Sequence, residues 1–172
     1  MSLADCLVHQ GLLRMDEGTK HSRFIEAIEI YETILPKLRT ALGYATPSTV
    51  EATDNLGFAY HRLGERKLAE RYYCEALDWR LMVFGENDIR TTNLLANLGT
   101  LLSESAQYDA ADGYLQRALT TRVQMWGEPS MDARKALRHV ARNFDRWGRP
   151  EFALPFWERL LSAELQVAPT DS

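Results

Sequence analysis

The densest chemistry in the sequence lies between residues 131 and 149. Arg134, Lys135, Arg138, Arg142, Arg146 and Arg149 stand there against Asp132 and Asp145, a local charge of +4 in a chain whose formal net charge is −4. Lys135, Arg138, Arg142 and Arg146 recur at spacings of three and four, which stacks side chains along one stripe of an α-helix. Like charges stacked this way repel, so the stripe calls for an anionic partner. Acids of a preceding segment, Glu104 among them, could supply it, and so could an acidic or phosphorylated ligand. A second recurring group is asparagine, at Asn55 and Asn97. An amide offers both a donor and an acceptor, the pair needed to hold a peptide bond whatever its side chain.

Groups suited to covalent or metal chemistry are scattered. His9, His21, His61 and His139 fall in no H-E-x-x-H motif, and no Cys/His cluster has ligand spacing. There is no glycine-rich phosphate loop and no G-x-S-x-G elbow. No catalytic residue, metal site or cofactor is therefore assigned. His61 and Glu65, four apart, are expected to form a surface pair, and Cys74 to be a small packing residue. Two cysteines, Cys6 and Cys74, are too few for a disulfide framework, which points to a reducing, cytoplasmic setting. The negative net charge argues against bulk binding to nucleic acid or anionic membrane. No apolar run approaches the ~18–20 residues of a membrane span, and MSLADCLVHQ does not read as a signal peptide.

The elements that must position these residues emerge when the sequence is laid over itself. At an offset of 42, residues 46–87 match 88–129 at 11 positions, among them Asn55/Asn97, Leu56/Leu98, Gly57/Gly99, Ala69/Ala111, Ala76/Ala118, Arg80/Arg122 and Gly85/Gly127. A further copy, 130–168, keeps residue types more than identities, and residues 1–45 form a degenerate first copy. Apolar spacing within each copy is helical. Gly64, Ala106 and Gly148 mark tight helix–helix turns, Gly85 and Gly127 read as αL caps, and Thr46, Asp88 and Ser130 read as N-caps. Pro47 suits a first helical turn. Pro36 and Pro155 should bend any helix that holds them beyond its first turn. The expectation is an all-α chain of eight helices in four antiparallel pairs, forming one domain over 1–172, with a disordered tail at 167–172. Ala69, Ala111 and Ala153 should let paired helices approach while Tyr72, Tyr114 and Phe156 fill the space beside them.

The run N-L-G-x-x-Y at Asn55–Tyr60, followed by Gly64, Ala69, Tyr72 or Tyr73 and Ala76, resembles the tetratricopeptide repeat signature. The 42-residue spacing, with L-x-x-R…G-E between units, resembles the longer variant of kinesin light chains. This resemblance implies a right-handed superhelical solenoid of about four antiparallel helix pairs. The first helix of each pair would line a concave groove for a peptide or a partner helix. Carried onto matching positions, the groove residues are Asn55, Phe58 and Arg62, with Glu51, Asp54 and His61 beside them. The next copy contributes Asn93, Asn97 and Thr100, with Ala96, Ser103 and Glu104. The last contributes Lys135, Arg138, His139, Arg142 and Arg146, with Asp145. The carboxylate clamp of some relatives is incomplete: Asn97 and Lys135 match, His139 replaces an arginine, and Asp54 has the wrong sign.

The leading expectation is a non-catalytic protein–protein interaction module whose basic last copy favours an acidic ligand. An alternative is a self-associating scaffold or regulatory subunit that uses the apolar C-terminal pair (Trp147, Phe152, Phe156, Trp157, Leu160 and Leu161) to form a homo-oligomer. A third reading is an enzyme with a groove-derived pocket.

Overall fold

The computed structural model describes residues 17–167. Seven helices follow one another: α1 (Glu17–Leu42), α2 (Pro47–Arg62), α3 (Arg66–Phe84), α4 (Ile89–Glu104), α5 (Tyr108–Trp126), α6 (Met131–Arg146) and α7 (Pro150–Val167), with no strand among the described residues. The pairs α2–α3, α4–α5 and α6–α7 coincide with the three later copies of the repeat. α1 is the second helix of the degenerate first copy. The helix expected before it, and the tail after Val167, lie outside the described residues.

Each boundary has a local cause. The Thr46 hydroxyl accepts from the Thr49 N–H at 3.3 Å, the Asp88 carboxylate from the Arg90 N–H at 2.8 Å, and the Ser130 hydroxyl from the Ala133 N–H at 3.2 Å. Each cap satisfies one of the N–H groups that the first helical turn leaves free. Within each pair the chain turns at positive φ, at Gly64 (82°), Ala106 (61°) and Gly148 (73°). The next N–H then reaches back five residues, Glu65 to Tyr60, Gln107 to Leu102 and Arg149 to Phe144, at 3.0, 2.9 and 3.0 Å. This is the Schellman closure, and Ala106 holds it with a Cβ that glycine would not carry.

One expectation is corrected here. Gly85 and Gly127 end α3 and α5 at φ 75°, but with ψ of 179° and 163° rather than the αL value. That region is open essentially to glycine alone, so the residue is required because the chain leaves the helix extended. Pro36 and Pro155 both lie inside their helices, beyond the first turn of α1 and α7.

The chain divides after Gly85 into two compact units. In the first, α2 packs on both α1 and α3. Phe24, Tyr31, Leu35, Val50, Leu56, Ala69, Tyr73 and Ala76 are buried between them. Gly57 sets the closeness of α2 to α3, because a Cβ there would stand 2.8 Å from Cδ1 of Tyr73. In the second unit α4 packs on α5 and α6, α5 on α6, and α6 on α7. A Cβ on Gly99 would meet Leu115 Cγ at 2.7 Å and the Ala111 carbonyl oxygen at 3.2 Å. Buried Ala141 and Ala153 serve the last pair. The large residues whose side chains press most closely on the glycines are thus Tyr73 and Leu115, with Tyr72 Cβ 3.2 Å from the place of a Gly57 Cβ. Tyr72, Tyr114 and Phe156 are half-buried beside them, Tyr72 stacked on Tyr60 and Phe156 on Phe144. One residue is about 100° of helical rotation, enough to carry a side chain from the interface to its margin.

Candidate functional site

On α2, Asn55, Phe58 and Arg62 follow one another at spacings of three and four. Phe58 meets Phe24 of α1 edge-on, with ring centroids 6.1 Å apart, and the Arg62 guanidinium lies over the same Phe24 ring at 5.9 Å. Asp54 gives its carboxylate to Arg80 of α3 at 2.7 Å in a largely buried pair. His61 sits edge-on to Tyr73, at 6.0 Å and 88°. Its Nδ1 lies 3.5 Å from the Tyr73 hydroxyl of α3.

In the second unit α4 packs on α6, and Thr100, His139, Arg142 and Arg146 meet around one recess, which Asn93, Asn97, Lys135 and Arg138 do not line. The Thr100 hydroxyl donates to the Ala96 carbonyl at 2.8 Å, which leaves its oxygen to accept from Nδ1 of His139 at 3.2 Å. The shorter bond therefore puts the imidazole proton on Nδ1 and leaves Nε2 as an acceptor. Burial, with Arg122, Arg142, Arg138 and Arg146 nearby, pushes the His139 pKa down to about 4. The ring is neutral at pH 7. Asn93 is already committed, its Oδ1 accepting from Arg122 at 2.6 Å.

The basic stripe on α6 is neutralised unevenly. Lys135 lies 3.9 Å from Asp132, Arg138 binds Glu164 of α7 at 3.0 Å, and Arg146 lies 4.0 Å from Glu104 of α4. Arg142 has no ion pair or hydrogen bond among the described residues. It borders a recess of about 120 Å³ lined also by Thr100, Ser103, Glu104, His139 and Arg146. The Ser103 hydroxyl in that lining is buried and has no hydrogen-bond partner. A buried hydroxyl left in this way costs about 1–3 kcal/mol, which an oxygen placed in the recess would recover.

Sequence reasoning passed over the second helices. Positions 54 and 80, 96 and 122, and 138 and 164 are equivalent pairs one period apart. They carry Asp54–Arg80 and Arg138–Glu164 at the two ends. The middle copy has Ala96, so Arg122 turns to Asn93 and to the carbonyls of Thr92 and Asp132, the last two at 3.4 Å. The identity of Arg80 with Arg122 was the signal, and the reversed charge in the last copy concealed it. Cys74 is exposed rather than packed. Partial burial, Glu70 and Asp78 push its thiol pKa up, which makes it a poor nucleophile. Among the described residues no group of three or more His, Cys, Asp or Glu could hold a metal ion. No helix there is long and apolar enough to cross a membrane.

Residues 51–122, which span α2 to α5, match the family model of the tetratricopeptide repeat. Residues 51–122 carry tetratricopeptide repeats. No curated protein matches it in sequence. Among solved structures it is similar to BtubC (BKLC) from P. vanneervenii, with 22% identity over 98% of this chain and 74% of that one, at a TM-score of 0.76. It is also similar to a putative kinesin light chain of nearly identical TPR-like repeats from Podosopora anserina, at 14% identity, 100% and 81% coverage and a TM-score of 0.80. The MamA protein follows at 15% identity, 99% and 78% coverage and a TM-score of 0.64. These likenesses show the fold, an all-α solenoid of the tetratricopeptide repeat type.

Proposed function

We propose that the chain is a non-catalytic module that binds an acidic peptide segment or helix along the first helices of its repeats, in a cytoplasmic setting and without nucleic acid or membrane. The repeat family and the fold support a protein–protein interaction scaffold. The preference for acid rests on Arg142, which has no acid bound to it and borders the recess holding the buried Ser103 hydroxyl. A ligand carboxylate there would pair with Arg142 and accept from Ser103. Asn97, whose amide makes no hydrogen bond among the described residues, would hold a nearby peptide group.

Labelled acidic peptides titrated at about 50 and about 200 mM salt test this reading. Arg142→Glu should weaken binding about tenfold or more, whereas Lys67→Glu, the same charge change on α3, should leave it within about twofold. Equal loss in both variants, or none in either, would refute the assignment.

One observation favours self-association as a second reading. Leu161 and Leu165 of α7 are 59% and 67% exposed. One period earlier, Leu119 is buried and Val123 half-buried in the core shared with α6. An apolar stripe that a helix covers in one copy is open in the next. Sedimentation velocity from about 1 to about 100 µM decides. A dimer abolished by Leu161→Lys supports this reading, and a monomer throughout removes it.

A further inference from the structure

One stretch of the first unit departs from the chain's own repeat. In the two later copies an arginine on the second helix bonds the glutamate that follows the helix-ending glycine: Arg117 to Glu86 at 2.8 Å, and Arg159 to Glu128 at 2.9 Å. One period earlier these two places hold Glu75 and Tyr44. The base has become an acid, and the acid an aromatic ring. Glu75 takes its cation from Arg39 of α1, and that guanidinium lies over the Tyr44 ring at 5.1 Å. Trp79 stands where the other copies have Thr121 and Ala163. Its ring centroid is 6.2 Å from that of Tyr44, with the planes tilted by 31°.

These exchanges leave a cleft of about 370 Å³ lined by Tyr44, Glu75, Asp78, Trp79 and Met82. The last four fall at i, i+3, i+4 and i+7 of α3, a single helical stripe, and Tyr44 approaches from the loop between α1 and α2. The lining offers two carboxylates, two aromatic rings and a thioether, and no basic side chain. Glu75 is bound by Arg39, but Asp78 has no ion pair among the described residues. Tyr44 and Met82 are exposed.

We propose that this cleft binds a basic side chain of a protein partner. The guanidinium or ammonium would meet Asp78 and the ring faces of Trp79 and Tyr44, and its methylene stem would lie along Met82. Aromatic rings attract a cation through their electron-rich faces, Trp most strongly, and a carboxylate adds to the attraction. The stem of an arginine or lysine covers apolar surface while its head stays charged. Arg39 over Tyr44 already shows a guanidinium accepted by one of these rings. The site is built from α3 and the α1–α2 loop, so it is independent of the acid-binding recess between α4 and α6.

NMR titration of the full chain with N-acetyl-arginine N-methylamide, its lysine counterpart and the uncharged citrulline analogue tests the proposal. The Met82 methyl and Trp79 indole signals should shift saturably with both cations, and the citrulline analogue should bind about fivefold more weakly or worse. Asp78→Asn and Trp79→Ala should each lower arginine affinity about fivefold. Trp79→Phe keeps a ring in place and should retain most of the binding, while Arg142→Glu should change nothing. The proposal is overturned if the two signals do not move, if citrulline matches arginine, or if Asp78→Asn binds as the parent does.

Discussion

Between α2 and α3 an acid on the first helix meets a base on the second, Asp54 and Arg80. Between α6 and α7, at the same two places in the repeat, a base meets an acid, Arg138 and Glu164. The settings differ as well. The Arg80 and Asp54 side chains are 5% and 15% exposed, against 38% and 43% for Arg138 and Glu164. Two of the three copies thus bridge their helices at the same places, with opposite polarity. Reversal puts the acid on the first helix in one copy and the base there in the other. Arg138 is therefore both half of a structural bridge and part of the basic stripe.

The largest way to break this comparison is to remove one partner at each end. Asp54→Ala leaves the Arg80 guanidinium buried without its anion and should cost about 3 kcal/mol, whereas Arg138→Ala should cost about 1 kcal/mol or less, read by urea unfolding. Equal costs would mean that burial does not separate the two bridges.

Among stability losses at neutral pH, next in size is the close approach of the helices. Gly99→Ala pushes a methyl into Leu115 and toward the Ala111 carbonyl, and should destabilise by about 2 kcal/mol. Gly57→Ala meets only the Tyr73 and Tyr72 side chains and should cost about half as much. Thermal melts of the two variants rank them.

His139 sharpens the contrast through pH. Its pKa is pushed down from 6.5 to about 4 in the folded chain, so between those values the unfolded chain binds the extra proton. Stability from this group is complete above about pH 6.5 and is lost as pH falls toward 4, a change of about 3 kcal/mol. His139→Asn, which restores the residue found at positions 55 and 97, should flatten that part of the profile in denaturant melts. The smallest effect is at the turn after α4. Ala106→Gly relieves the left-handed conformation and should stabilise by about 0.5–1 kcal/mol, detectable as a raised melting temperature.

Much of the frame was legible because it depends on local chemistry. Thr46, Asp88 and Ser130 cap their helices, and Gly64, Ala106 and Gly148 turn the chain, through interactions that span a few residues. What was not legible depends on rotation or on distant partners. Choosing Tyr73 over Tyr72 requires the angle at which α3 meets Gly57, and two adjacent tyrosines give no hint of it. The bridge at positions 54 and 80 was hidden because its charges trade places and its middle copy has none. Within the candidate site the α6 stripe could be read from spacing. Glu104 was among the acids the sequence offered to it, but only the fold reveals that Asp132 and Glu164 join it beside three of the four bases and leave Arg142 over the recess.

The seam after α5 is closed by its own atoms. Both the N–H and the hydroxyl of Ser130 donate to the Gly127 carbonyl, at 3.3 and 2.8 Å, while the same hydroxyl starts α6. A block that brings its own stop and its own start can be duplicated or excised by a crossover in the gene without retuning what flanks it. Array length is then a quantity that recombination can change in steps of 42 residues, with the surface chemistry of each new copy left to drift afterwards.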